Sequence, residues 1–323
     1  MNQDIVLSIN PLYRCNFRCS FCYLTPEQLA DKAVLDLDVL SSRLSELLKY
    51  RRISHVDLYG GEITLLDDAY SDKMFAVIKK FYQGPVNLVT NLSRVGKVCL
   101  RDDVILSVSW DDELRQDHHR VLSNIISLDR EVHLLMLASP KMLQWSDEKL
   151  DEVISLLNSL SNITSVEIKP YSSNQSNSYN TSNRAFEEFI IRWLMRKDRF
   201  VFSFTNERNI LNSLAGTANS WSDDHLYITP EGKFAVLEFD EKFHEYFLSL
   251  EKFEDYLNWC GLEKTRIRHN LRCSSCDYLG TCLSEHLKNQ LDPSDSCDGF
   301  KGLLEWYKSN MAWERGELHG SSR

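Results

Sequence analysis

From residue 4 to about residue 195, short apolar runs alternate with longer stretches in which apolar residues recur every three or four positions. Short apolar runs rich in Val and Ile predict buried strands, and the longer periodic stretches predict amphipathic helices. The predicted strands are Ile5–Ile9, His55–Tyr59, Val86–Thr90, Val104–Trp110, Val132–Ala138 and Ser165–Pro170. The predicted helices are Leu35–Tyr50, Lys73–Tyr82, Val121–Ser127, Asp147–Leu160 and Arg184–Lys197.

The repeated strand–helix units predict an α/β fold with about six parallel strands, arranged as a partial (β/α)6 TIM-type barrel. In such barrels the functional residues follow the carboxyl ends of the strands. Past about residue 200 the pattern changes: a hairpin with a Pro-Glu-Gly turn is predicted at about 226–237, cysteines cluster at 273–297, and Gly302–Ser309 is a predicted helix. We therefore expect a barrel over residues 1–200 and a small cysteine-rich domain over residues 201–323.

Composition narrows the class of protein. A chain of 323 residues that is 43% hydrophobic can bury one large core and a smaller one. It contains neither an apolar run long enough to span a bilayer nor a charged-then-apolar leader. Nine cysteines without a leader indicate a reducing cytoplasm, where cysteines bind metals rather than form disulfides. The net charge of −10 argues against a broad nucleic-acid-binding surface.

Three cysteines follow the first predicted strand in the pattern C-x3-C-x2-C. Cys15, Cys19 and Cys22 can ligate three irons of a 4Fe–4S cube and leave the fourth iron open for a small molecule. A structural zinc ion is the alternative, although zinc motifs usually supply a second cysteine or histidine pair, and none lies near Cys22 in the sequence. The position after a strand places the motif on the functional face of the predicted barrel.

Polar residues follow three further predicted strands. Gly60-Gly61-Glu62 come after the second strand, Thr90-Asn91 end the third, and Ser109 and Asp111 follow the fourth. Because parallel strands end on the same side of a sheet, we expect these residues to lie near the cysteines. Glycines allow a ligand to approach the backbone, and a carboxylate accepts hydrogen bonds from an ammonium group.

Together these motifs resemble those of radical SAM enzymes, which bind S-adenosylmethionine (SAM) at the open iron of a 4Fe–4S cluster. The resemblance implies that Gly60, Gly61 and Glu62 bind the amino group of SAM. The residues that it assigns to other contacts with the cofactor are Phe21, Tyr23, Thr90, Asn91, Ser109, Asp111 and Arg120. Arg120 has an alternative interpretation as part of a solvated helix start. The implied reaction is one-electron cleavage of SAM to a 5′-deoxyadenosyl radical that abstracts hydrogen from a substrate.

A second group of cysteines, with the spacing C-x2-C-x5-C-x14-C, comprises Cys273, Cys276, Cys282 and Cys297. Four thiolates occupy every iron of a 4Fe–4S cube, which then transfers electrons or supports structure but does not bind substrate. A structural zinc ribbon is the alternative. Behind the first motif, the spacing resembles an auxiliary cluster of the SPASM extension found in peptide-modifying radical SAM enzymes.

The resemblance to SPASM is incomplete. The extension carries cysteines where this chain has Leu237 and His286, so the first auxiliary cluster is missing. What remains is a reduced extension with one auxiliary cluster, to which the resemblance gives a role as an electron conduit; a purely structural cluster is the alternative. Glu238 lies where some peptide-oxidising relatives carry a catalytic carboxylate, and an ordinary strand residue is the alternative there. Cys99 is expected to be a buried hydrophobe and Cys260 to pack or stay free.

The resemblance implies oxidative modification or crosslinking of a ribosomally synthesised precursor peptide, with flavodoxin or ferredoxin as electron donor. No peptide-recognition domain fits before a strand that begins at residue 4, so the barrel or a separate leader-recognition protein is expected to bind the leader. Two alternatives stay open: a radical SAM dehydrogenase, epimerase or mutase for a sugar, amino acid or nucleotide, and a zinc-stabilised binding module. The stretch Ser172–Asn183 is a plain loop or a flap over the barrel mouth.

Overall fold

A computed structural model describes residues 4–112, 115–176, 181–240, 244–283, 297 and 299–311 of the protein. Its strands are β1 (Asp4–Ile9), β2 (Arg52–Leu58), β3 (Val86–Thr90), β4 (Val104–Ser109), β5 (Val132–Ala138), β6 (Ile163–Pro170), β7 (Ser203–Phe204), β8 (His225–Ile228), β9 (Phe234–Phe239) and β10 (Glu245–Leu250). Its α-helices are α1 (Pro26–Ala30), α2 (Leu37–Leu47), α3 (Asp68–Ile78), α4 (His118–Ser127), α5 (Pro140–Leu143), α6 (Asp147–Asn158), α7 (Asn183–Leu194), α8 (Thr205–Leu214), α9 (Phe253–His269) and α10 (Lys301–Asn310). None of these helices is both long and apolar enough to cross a bilayer.

All of these strands join one sheet in the order β10-β9-β8-β1-β2-β3-β4-β5-β6-β7. Neighbouring strands from β1 to β7 are parallel, and β8 is parallel to β1. The strands β9 and β10 are antiparallel. The prediction of an α/β partial barrel built from parallel strands is confirmed. The hairpin that follows residue 224 belongs to the same sheet, because β8 hydrogen-bonds to the edge of β1 that β2 leaves open.

The hydrophobic pattern produces this fold in two ways. Strand side chains alternate between the two faces of the sheet, and the most buried positions of β5 are Val132, Leu134, Met136 and Ala138. Helices cover the sheet with apolar stripes, which in α2 consist of Leu40, Leu44 and Leu47. The Asp36 side chain caps α2 by accepting hydrogen bonds from the backbone N–H groups of Asp38 and Val39, a contribution of about 1 kcal/mol.

The two ends of the sheet are connected through the loop that follows β6. Glu245, the first residue of β10, donates its backbone N–H to the Ser173 carbonyl (2.9 Å) and accepts from the Gln175 N–H (3.2 Å). The Gln175 amide and the Ser176 hydroxyl each donate to the Tyr23 carbonyl at 3.2 Å. The described part of the Ser/Asn-rich stretch therefore links β6, β10 and the loop after β1. Positions 177–180 of the predicted flap lie outside the described residues.

Candidate active site at the carboxyl ends of the strands

The three cysteines of the C-x3-C-x2-C motif lie on the loop between β1 and α1, which we call the cysteine loop (residues 10–25). The backbone N–H of Cys15 donates to the Leu29 carbonyl (3.3 Å), and that of Cys22 donates to the Cys19 carbonyl (3.1 Å). Burial raises the pKa of each of the three thiols. Each thiol also interacts electrostatically with another of the three, which places the sulfurs near one another.

The Gly60-Gly61 pair lets the cysteine loop pass directly against the end of β2. The Gly61 N–H donates to the Leu12 carbonyl (3.0 Å), and the Glu62 N–H donates to the Arg14 carbonyl (2.9 Å). A Cβ at Gly61 would lie 2.2 Å from the Arg14 carbonyl oxygen. Gly60 has a φ of +141°, which side chains other than hydrogen rarely allow. The backbone that approaches these glycines is the protein's own cysteine loop.

The Glu62 side chain is fully buried between the ends of β2 and β3. Its Oε1 accepts hydrogen bonds from the Thr64 N–H (3.0 Å), the Thr64 hydroxyl (2.7 Å) and the Thr90 hydroxyl (2.6 Å). Its Oε2 accepts from the Asn91 N–H (2.7 Å). Each of these donors is neutral, so the carboxylate is fixed in place without a counter-charge from them. A carboxylate oxygen has two lone pairs, which leaves Oε2 able to accept from a further donor such as an ammonium group.

Asn91 connects the buried carboxylate to the first cysteine. Its side-chain Nδ2 lies 3.7 Å from Cys15 Sγ and donates to Asn16 Oδ1 (3.1 Å). Its Oδ1 accepts from the Ser93 N–H (2.9 Å), and Asn16 Nδ2 donates to the Ser93 hydroxyl (2.7 Å). Hydrogen bonds to ligand sulfurs are one of the means by which proteins set the potential of iron–sulfur clusters. The end of β3 therefore holds both the Glu62 carboxylate and a cysteine sulfur.

Arg115 contacts a sulfur of the cysteine loop. Its Nη1 lies 3.8 Å from Cys19 Sγ, and its guanidinium lies over the Phe21 ring at 5.0 Å. Its Nε donates to Asp111 Oδ2 (2.7 Å), and Asp111 Oδ1 in turn accepts from the Leu137 N–H (2.5 Å). Asp111 thereby orients the guanidinium towards the thiols. Arg115 was not predicted as a site residue; its only signal in the sequence is the four-residue spacing from Asp111.

Ser109 and Arg120, which were also predicted to contact SAM, lie in different places in the structure. Ser109 is the last residue of β4 and is partly buried, so it lies at the same edge of the sheet as Glu62 and Asn91. Arg120, by contrast, is an exposed residue of α4. Among the described residues, the arginine that donates to a cysteine sulfur is Arg115 and not Arg120.

Aromatic side chains from four elements form a wall beside Cys22. Tyr23 stacks on Tyr59 with ring centroids 5.8 Å apart, and it meets Phe247 of β10 edge-on at 5.5 Å. Phe247 also meets Tyr227 of β8 edge-on at 4.8 Å. Burial raises the pKa of Tyr59 to about 12 and that of Tyr23 further above its usual value. This aromatic wall (Tyr23, Tyr59, Tyr227 and Phe247) brings the C-terminal hairpin up to the cysteine loop.

Glu238 lies on the face of β9 that packs against α9. Its Oε2 accepts a hydrogen bond from the Trp259 indole N–H at 3.0 Å. The pairing of β9 with β10 places Leu237 opposite Phe247, whose ring contacts Tyr23. Because successive side chains of a strand point to opposite faces, Glu238 points away from the aromatic wall. The geometry therefore does not support the catalytic role that the sequence predicts for Glu238.

Glu238→Gln and Trp259→Phe are each expected to lower the free energy of unfolding by about 1 kcal/mol, because each weakens the same hydrogen bond between β9 and α9. The double variant should lose less than the sum of the two single variants. Urea denaturation of the parent, both single variants and the double variant measures this coupling. If Glu238→Gln abolished substrate turnover while its stability was unchanged, the catalytic role predicted for Glu238 from the sequence would be supported.

The cysteines of the second motif line one cavity of about 280 Å³ between α9 and the start of α10: Cys273, Cys276, Cys282 and Cys297. Burial, together with the neighbouring thiols, raises the pKa of Cys273 to about 11. In the described part of the chain, no group of three or more His, Cys, Asp or Glu side chains is placed to hold a metal ion. A 4Fe–4S cluster joins its ligands through several irons, so its cysteines need not converge on a single ion. The donor set and its cavity are therefore compatible with a cluster.

The remaining cysteines lie apart from both groups. Cys99 is fully buried in the core, which confirms its expected role as a small hydrophobe. Cys260 is buried on α9, where it packs with the core that includes Tyr256. Burial raises the pKa of both thiols to about 11, so they are poor nucleophiles at neutral pH. His286 lies outside the described residues.

The fold is similar to that of solved proteins with bound S-adenosylmethionine. SuiB from Streptococcus suis, bound to S-adenosylmethionine, superposes with a TM-score of 0.64 and 15% identity over 92% of this chain and 76% of SuiB. The protein anSMEcpe, with bound AdoMet and Cp18Cys peptide, superposes with a TM-score of 0.68 and 13% identity over 95% of this chain and 97% of anSMEcpe. No family model and no curated protein matches the sequence. At this identity the likeness shows the fold alone, a partial barrel of α/β type.

Proposed function

We propose that this protein is a radical SAM enzyme. The observation that supports this is the juxtaposition, at the carboxyl ends of β1, β2 and β3, of three thiols on one loop with the buried Glu62 carboxylate, which neutral donors hold in place. Three thiols fit three irons of a cube and leave the fourth iron open, and the carboxylate fits an ammonium group. The cluster, when bound with SAM, supplies one-electron cleavage of the sulfonium C–S bond and a 5′-deoxyadenosyl radical that removes a hydrogen atom from the substrate.

The chain's own residues bind the cluster and SAM, orient them and shield the site from water. Cys15, Cys19 and Cys22 hold the cluster, and the positive charge of Arg115 beside Cys19 favours the thiolate form that a metal requires. Glu62 accepts from the SAM ammonium group, while the SAM-contacting residues proposed at the neighbouring strand ends are Thr90, Asn91, Ser109 and Asp111. The aromatic wall excludes water from the side next to Cys22. Gly60 and Gly61 act indirectly, because they allow the cysteine loop to lie against β2.

The proposed substrate is a ribosomally synthesised precursor peptide, which the enzyme oxidises or crosslinks. Two structures of similar fold support this proposal, because SuiB is bound to precursor peptide SuiA and anSMEcpe to the Cp18Cys peptide. The second cysteine group is proposed to hold an auxiliary 4Fe–4S cluster, which supplies one-electron transfer. A flavodoxin or ferredoxin is the proposed reductant, and the proposed compartment is the cytoplasm. The barrel or a separate leader-recognition protein is proposed to bind the leader.

The experiment that tests the function is metal analysis and SAM cleavage with anaerobically reconstituted protein. About eight irons and about eight sulfides per chain are expected for two cubes. Dithionite and SAM should then yield 5′-deoxyadenosine, measured by chromatography. About four irons with one zinc would support the first site and leave the second as a structural zinc site. Zinc without iron, and no 5′-deoxyadenosine, would overturn the proposal in favour of a zinc-stabilised binding module.

Arg115→Ala is expected to slow SAM cleavage about tenfold, because it removes a cation that favours thiolates and hydrogen-bonds to Cys19. Arg115→Lys keeps the charge and should retain part of the rate. Arg120→Ala separates the two assignments. A contact between Arg120 and SAM predicts a large effect, whereas the exposed position of Arg120 on α4 predicts a smaller effect than for Arg115→Ala. Initial rates of 5′-deoxyadenosine formation, normalised to iron content, measure the difference. An Arg120→Ala defect larger than that of Arg115→Ala would favour the sequence-based assignment.

A further inference from the structure

β10 is an edge strand whose outer backbone groups are open over most of its length. The Asp240 N–H donates to the His244 carbonyl, so this pair is hydrogen-bonded across the hairpin. Hydrogen-bonded and non-hydrogen-bonded pairs alternate along an antiparallel ladder. The backbone groups of Glu245, Phe247 and Ser249 therefore point away from β9. Among the described residues, Glu245 finds partners there, whereas no hydrogen bond reaches the outward N–H and carbonyl groups of Phe247 and Ser249.

The contact at Glu245 shows which kind of partner this edge accepts. Residues 173–175 make a parallel bridge with this edge, with one hydrogen bond to the Glu245 carbonyl and one from its N–H. The chain then turns away at Gln175 and Ser176. Phe247 and Ser249 offer the same pair of groups at the same two-residue interval. An extended peptide in the same direction would continue the pairing that residues 173–175 begin.

The sequence of β10 does not protect this edge. Natural sheets guard exposed edges with Lys, Pro or bulges. The strand reads Glu-Tyr-Phe-Leu-Ser-Leu, pairs with β9 in continuous register and contains neither Lys nor Pro. An unguarded edge of this length is a site for strand addition.

The position of the edge relates it to the candidate active site. The Phe247 ring contacts Tyr23, the residue after Cys22, and Glu245 is connected through Gln175 to the Tyr23 carbonyl. An added strand would alternate its side chains between the two faces of the sheet, and one face is that of the aromatic wall. Every second residue of the added peptide would thus point to the side of the sheet on which the cysteine loop lies.

We propose that the outer edge of β10, at Phe247 and Ser249, binds the substrate peptide as an added parallel strand. This inference rests on the proposed function, since it assigns the place where a peptide substrate is held. A second copy of the chain is the other occupant that an open edge admits. In a two-fold dimer β10 would pair with its own copy antiparallel, against the direction set by residues 173–175, so the peptide is favoured.

Ser249→Pro tests the proposal, with Ser249→Ala as the matched control. Both variants remove the same exposed hydroxyl, but only proline removes the outward N–H, and the hydrogen bonds of β10 to β9 do not use that N–H. The probe is a dodecapeptide selected from a random phage-displayed pool on the reconstituted wild-type protein, then synthesised with a fluorophore. Fluorescence anisotropy is expected to show binding about tenfold weaker for Ser249→Pro than for wild type, with Ser249→Ala unchanged. Amide exchange at Phe247 and Ser249 should slow when the peptide binds.

The outcomes separate the possibilities. The proposal would be overturned if both variants bound the peptide equally well, or if the peptide slowed amide exchange elsewhere on the chain. It would also be overturned if the phage pool yielded no binder, or if the wild-type protein were a dimer that Ser249→Pro dissociates. If Ser249→Pro unfolds, the wild-type protein is tested instead with versions of the dodecapeptide in which one amide at a time is replaced by an ester. Replacement at one or two positions of the peptide should then weaken binding about tenfold. Formation of 5′-deoxyadenosine without peptide tests the radical SAM function separately, because Ser249→Pro should not change it.

Discussion

Replacing Cys15, Cys19 and Cys22 together by alanine should bring 5′-deoxyadenosine formation down to the level of a protein-free control. The variant should keep about four of the about eight irons expected in the parent, because the second cysteine group has its own cavity. The physical reason is that without three thiolates no iron is held beside Glu62. Iron and sulfide analysis, together with product chromatography, gives both numbers from one sample.

Cys260→Ala is the matched control for the loss of a cysteine, because this thiol is buried on α9 and outside both groups. It should retain all of the iron and the full rate of SAM cleavage. The reciprocal variant, with Cys273 and Cys276 changed to alanine, should lose the other half of the iron and still cleave SAM when dithionite supplies the electrons. A triple variant that keeps all of the iron would contradict the assignment of the first site.

Gly61→Ala is expected to be nearly as damaging as the loss of the cysteines. Its Cβ would lie 2.2 Å from the Arg14 carbonyl oxygen and 2.4 Å from that of Tyr13, and both are backbone atoms that cannot rotate away. The cysteine loop must shift or the end of β2 must move, at a cost of about 3 kcal/mol. Iron content at the first site should fall together with the midpoint of thermal unfolding.

Gly261→Ala provides the control for this glycine. Gly261 lies within α9, and a Cβ there meets nothing within 4 Å beyond the neighbouring backbone of its own helix. Alanine is the better helix former, so this variant should gain about 0.5–1 kcal/mol of stability and keep its iron. A Gly61→Ala protein with normal iron content and normal stability would mean that the loop and β2 are not as tightly apposed as described.

The sequence predicts most of the parallel sheet because its signal is local. β3 and β5 agree with the prediction at both ends, since each is a short, mainly apolar run followed by a polar residue, Asn91 and Ser139 respectively. α9 was not predicted, and its buried face explains why. That face includes the charged Glu263 beside Cys260 and Tyr256, so its hydrophobic periodicity is weak. β10 was missed as well, because the sequence between β9 and β10 contains no Gly or Pro that would signal a hairpin.

Part of the candidate site could likewise be predicted from the sequence, and part could not. The positions of the cysteine loop, Glu62 and Asn91 follow from the rule that parallel strands end on one side of the sheet. The hydrogen-bond partners of Glu62 do not follow from that rule. Thr90 reaches the carboxylate because β2 and β3 are neighbours in the sheet. Arg115 was beyond prediction because a lone loop arginine has no periodicity, and its role appears only when Asp111 and Cys19 are seen on either side of it.

The central place of β1 in the sheet has a consequence for synthesis of the chain. One edge of β1 pairs with β2, but the other pairs with β8, which ends at Ile228. The strand that leads into the cysteine loop therefore stays half-paired on the ribosome until more than two-thirds of the chain has been translated, and contacts this distant in sequence form slowly. We expect ribosome-bound chains arrested before β8 to lose β1 readily to proteases, and chains arrested well beyond it to resist. Iron delivered during translation would meet a cysteine loop whose supporting strand is not yet enclosed.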